Sequence, residues 1–70
     1  MSVISREQVE KYFSTFWAIS PEKLKDETLV WSVGGVGTAV YESLMVFGKE
    51  VHVRDPAKFT FGDLVRQVVS

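Results

Sequence analysis

The chain has 70 residues, of which 46% are apolar and 13% aromatic, with eight Lys and Arg set against nine Asp and Glu. That is one small domain with enough apolar material for a true core, so a disordered tail is excluded. The absence of cysteine excludes disulfides, thiolate metal sites and a Cys nucleophile, the single His52 cannot form a histidine cluster, and a net charge of −1 with interspersed signs leaves no nucleic-acid footprint.

The first element is a helix of about three turns. Ser5 is an N-cap with Gln8 three residues on, a capping box, and Ile4 ahead of the cap can staple onto Val9. Val9, Tyr12, Phe13, Phe16 and Trp17 recur at helical spacing, and Arg6, Glu7, Glu10 and Lys11 occupy the other face. "ISPEKLKDETLV" follows, in which Ser20 and Pro21 begin a single turn reaching Leu24 and "KDET" reads as solvated loop. Leu29, Val30, Trp31 and Val33 are either a strand or a buried loop, because periodicity cannot decide so short a run. Core packing is the expectation for Trp31.

The stretch "VWSVGGVGTAV", residues 30–40, breaks on Gly34, Gly35 and Gly37 and then turns helical. Val36, Val40, Leu44 and Phe47 form a stripe that ends at Gly48, a natural C-terminal cap. Val51 and Val53 alternate around His52, so this segment is extended and His52 is solvated. Asp55 before Pro56 signals a short helix. Thr60 with Asp63 opens a last helix whose apolar face is Phe61, Leu64, Val65 and Val68, slightly weakened by Gly62. The expectation is an all-α single domain over residues 1–70, with a core of Val9, Phe13, Phe16, Val40, Leu44, Phe47, Leu64 and Val68. No apolar run approaches the ~18 residues of a membrane span and no signal peptide is visible, so a cytoplasmic monomer is expected.

Three ordered stretches, "ISPEKLKDETLV", "FGKEV" and "FTFGDLV", resemble the acyl carrier protein family at the exit from helix I, the end of helix II and the start of helix IV. The resemblance implies a small four-helix bundle with a long first loop and a short third helix. It implies carriage of acyl or related groups as thioesters on a 4'-phosphopantetheine arm, in a pathway such as fatty acid or polyketide biosynthesis. It further implies partners, biosynthetic enzymes or a phosphopantetheinyl transferase, that dock on the second helix. The family's arm sits on a serine at the start of helix II, usually within Asp-Ser-Leu, and no Asp-Ser-Leu occurs here. Ser32 is the candidate attachment residue. An alternative alignment places Gly37 there, without a hydroxyl and with Thr38 beside it. The candidate docking residues are Gly37, Thr38, Tyr41, Glu42 and Met45, a set poor in acid, so docking is expected to be mainly apolar.

Two other readings compete with an armed carrier. A carrier fold without the arm would act as a non-covalent protein-interaction module through the same helix face. Alternatively, "LVWSV", "GGVG" and "TAVYESLMVF" form a strand, turn and helix that bind a nucleotide at the Gly34–Gly37 turn, with Asp55 placed for a ribose. Against the nucleotide stand the missing third glycine and the short chain left after Asp55 to complete a parallel sheet. The glycines also have a purely geometric reading, as sites of close approach or unusual backbone. No pairing of nucleophile and base and no facing pair of carboxylates suggests an enzyme.

Overall fold

The computed structural model describes residues 3–70. Four α-helices follow in order: α1 (Arg6–Phe16), α2 (Val30–Val33), α3 (Val36–Phe47) and α4 (Phe61–Val68), with a 3-10 turn at Pro21–Lys23. No strand forms among the described residues; one isolated antiparallel bridge joins Leu29 to Thr60. The all-α expectation holds.

Local signals decide the ends of α1 and α4. At α1, the Ser5 hydroxyl accepts from the Gln8 N–H and the Gln8 side chain accepts from the Ser5 N–H at 2.7 Å. Thr60 and Asp63 repeat this arrangement at α4, each bond 3.1 Å. Each box satisfies two backbone donors that the helix would otherwise leave open. α1 closes with the Ile19 N–H on the Ser14 carbonyl and the Ala18 N–H on the Thr15 carbonyl. That closure forces Ala18 to a left-handed φ of 55°, a conformation that ordinarily belongs to glycine. α3 closes on Gly48 at φ 68°, as its sequence predicts.

The first loop is sewn to the start of α4. The Val30 N–H donates to the Phe59 carbonyl at 3.0 Å, Phe61 N–H to Thr28 at 2.7 Å, and Gly62 N–H to Asp26 at 3.0 Å. A Cβ on Gly62 would lie 2.9 Å from the Asp26 carbonyl oxygen, so Gly62 serves this close approach. Arg6 adds 2.6 Å ion pairs to both Glu10 and Asp26.

The core comprises Val9 and Phe13 of α1, Leu24, Val30 of α2, Ala39 of α3, Val51, Phe59, and Phe61, Leu64, Val65 and Val68 of α4. Ile4 packs against it, as the staple requires. Four expectations are corrected. Leu44 and Phe16 lie outside the core, 49% and 44% exposed, and Val40 and Phe47 sit at its margin. The reason is that α3 turns its smallest side chains, Ala39 and Ser43, inward, which brings its backbone close to the other helices and splits the 36/40/44/47 stripe across the boundary. Trp31 is 57% exposed, its Nε1–H donating to the Ala57 carbonyl at 3.0 Å. The run 30–33 is neither strand nor loop but a single α-helical turn. Finally, the short helix after Asp55 is absent. Asp55 does cap the turn, accepting from Ala57 N–H on its carboxylate and from Lys58 N–H on its carbonyl. Phe59 is then drawn into the core and into pairing with Val30, which leaves no room for a second turn.

Candidate interaction face on the middle helix

The three glycines before and within α3 have different jobs. A Cβ on Gly34 would lie 2.3 Å from Nε1 of Trp17 and 2.4 Å from Cε2, so the indole of Trp17 rests directly on this backbone. Gly35 is the extended N-cap of α3. Gly37 lies in the first turn with nothing within 4 Å of its Cβ position. Geometry thus accounts for Gly34 without a ligand.

The strand needed for a dinucleotide-type turn is missing. Residues 30–33 are helical, and the extended residues 51–53 do not pair with them. The strand–turn–helix premise of the nucleotide reading is therefore corrected.

Ser32 lies in α2, four residues before the first residue of α3, and is exposed. Its hydroxyl donates to the Leu29 carbonyl at 2.6 Å, within its own turn. At the start of α3 itself stand Gly35, Val36 and Gly37, none with a hydroxyl; the first is that of Thr38. The hydroxyl a 4'-phosphopantetheine arm requires is thus displaced from the helix start and held by a local carbonyl. These residues fit the arm poorly.

The outer face of α3 is the site's main feature. Ala39 and Ser43 point inward, so at 100° per residue Gly37, Thr38, Tyr41, Leu44 and Met45 point outward. Tyr41 is 59% and Met45 62% exposed; Val46, also exposed, lies round the helix toward α1. Four of the five expected docking residues, Gly37, Thr38, Tyr41 and Met45, share this face. Glu42, the fifth, faces α1 instead, and its carboxylate accepts the Tyr12 hydroxyl. That bond holds the Tyr12 phenol above the usual tyrosine range, with desolvation adding to it. As Glu42 is the one charged residue of α3, the outer face carries no charge. On the α1 side, an open groove of about 350 Å³ runs between Tyr12, Thr15, Val46 and Phe47.

Leu44 reads as core from its spacing, yet a signal for its exposure exists. α3 carries apolar residues nearly all round: Val36, Ala39, Val40, Tyr41, Leu44, Met45, Val46 and Phe47. A helix of that kind must be enclosed or else present apolar surface, and a 70-residue domain cannot enclose it. Among the described residues no group of three potential ligands could hold a metal ion, and no helix is long and apolar enough to cross a membrane. Comparison with protein-family models, with curated proteins and with solved structures finds no match to this chain.

Proposed function

We propose that the chain is a carrier-shaped helical module that works without a prosthetic arm, presenting the outer face of α3 to a partner protein. The observation that carries this reading is the uncharged row of Tyr41, Leu44 and Met45 standing in solvent on a helix whose sole carboxylate is engaged by Tyr12. Exposed aromatic and Met side chains without charge are the composition of an interface core. Their i, i+3, i+4 spacing suits a helix laid into an apolar groove. The partner's surface is accordingly concave and apolar. The module itself performs no reaction in this reading.

The armed alternative keeps the carrier role, with 4'-phosphopantetheine on Ser32. It draws on the exposure of Ser32 just ahead of α3. Two measurements separate the readings. Incubation with coenzyme A and a broad-specificity phosphopantetheinyl transferase, followed by intact mass, is expected to show no added group. A gain of one phosphopantetheinyl group that Ser32→Ala abolishes would overturn the armless reading. Photo-crosslinking residues placed in vivo at Tyr41 or Met45 are expected to give discrete protein adducts that the same group at Glu22 does not. Equal adducts at all three positions would remove α3 as the docking face.

A further inference from the structure

The last twenty residues carry a feature of different character. After α3 the chain runs back along α4, and Gln67 fastens it there. The Gln67 side-chain oxygen accepts the His52 N–H at 2.8 Å, and its amide nitrogen donates to the His52 carbonyl at 3.0 Å. Between this segment and α4 opens a cleft of about 390 Å³ with Arg54, Asp55, Lys58, Asp63 and Arg66 in its walls, together with the buried Phe59. It shares no residue with α3.

Both carboxylates of the cleft accept local hydrogen bonds, and Asp63 also has a cationic partner. Asp55 accepts the Ala57 N–H at 3.1 Å, while Asp63 accepts the Thr60 N–H at 3.1 Å and pairs with Arg66. Arg54 and Lys58 have no carboxylate within 4 Å among the described residues. The cleft thus holds three cations against two carboxylates, whereas residues 1–50 hold five cations against seven. A local positive field therefore sits on a chain of net negative charge, in a concavity that concentrates it. Arg54 and Lys58 stand at the two ends of the Asp55 turn, which its own hydrogen bonds hold, and Arg66 lies across from them on α4. All three side chains are exposed, so each is free to turn toward an anion in the cleft, at the cost of its own ordering. Arg54 and Lys58 are in no ion pair among the described residues, the cleft keeps a net positive charge, and the guanidinium fork suits phosphate oxygens.

We propose that the cleft between residues 52–59 and α4 binds a phosphate dianion, free or as a small monoester, held by Arg54 and Lys58 with Arg66 opposite. The test is titration of the whole chain with inorganic phosphate and, in parallel, glycerol 3-phosphate, followed by amide chemical shifts, against sodium chloride at matched ionic strength. Saturable shifts confined to residues 52–59 and 63–67 are expected with at least one probe, and the tighter of the two identifies the source. The double variant Arg54→Gln/Lys58→Gln is expected to weaken binding about ten-fold or more, since two charge-assisted contacts are lost. Lys11→Gln/Lys25→Gln, an equal loss of charge outside the cleft, is expected to leave the affinity unchanged. Shifts matching those of chloride for both probes, or equal weakening by both double variants, would overturn the proposal.

Discussion

Helices α3 and α4 differ in how they use apolar residues. α4 has four apolar residues among its eight, Phe61, Leu64, Val65 and Val68, all buried, with Asp63, Arg66 and Gln67 on the other side. α3 has eight, of which only Ala39 is buried. An apolar face matched in width to its neighbours is consumed by folding. An apolar face wider than the core can absorb remains at the surface, where it is available to a partner. The contrast teaches that the apolar face of α4 is taken up whole by the core, whereas half of α3's apolar residues, Tyr41, Leu44, Met45 and Val46, stay exposed.

The sharpest way to break that comparison is a pair of leucine truncations. Leu64→Ala, in the sealed core, is expected to lower unfolding free energy by about 2–5 kcal/mol. Leu44→Ala, half exposed, is expected to lower it by less than about 1 kcal/mol. Urea unfolding of both variants measures the difference, and equal losses would mean that α3's outer face is a core surface after all. Leu44→Ala should nonetheless diminish the adducts formed at Tyr41.

Glycine substitutions ahead of and inside α3 sharpen the picture at smaller scale. Gly34→Ala drives a methyl into the Trp17 indole and is expected to destabilise by about 1–3 kcal/mol, with a changed Trp fluorescence. Gly37→Ala meets open space on a helix and is expected to stabilise by up to about 1 kcal/mol. A loss at Gly37 in thermal melts would show that this position is not the free helical surface it is taken to be.

The smallest effect concerns acid. Asp63 is held below the usual carboxylate range, chiefly by the Thr60 backbone hydrogen bond and then by the Thr60 hydroxyl and Arg66, with desolvation opposing. A carboxylate with a depressed folded-state value contributes stability above its unfolded value, about 4, and loses it as pH falls through the folded one. α4 is therefore expected to loosen on acidification below about pH 4, by well under the ~1 kcal/mol worth of a cap, since the group is partly exposed. Asp63→Asn should flatten that part of the pH profile. α3, which has no acidic residue in its first turn, should show no corresponding change at its start in amide exchange.

Much of the fold is legible in the residues themselves. Ser5 with Gln8, Thr60 with Asp63, and Gly48 are local devices, and each works as its spacing predicts because all its partners lie within a few residues. The one-sided patterns of α1 and α4 likewise announce which face is buried, Phe16 apart. The exposure of Tyr41 and Met45 agrees with the expected docking set, but Glu42's turn toward Tyr12 does not follow from spacing, since the two are 30 positions apart. Neither does the cleft of Arg54, Lys58 and Arg66, whose residues read singly as solvated surface.

The starts of α1 and α4 and the end of α3 were therefore determined by sequence alone, since they arise from interactions within one or two turns. Tertiary structure alone decided which side of α3 faces inward, that Gly34 lies under Trp17, and that Asp55 closes a turn and not a helix. These depend on chain segments far apart competing for the same small volume: the backbone that comes closest wins the interior, and small residues such as Ala39, Ser43 and Gly62 let it do so.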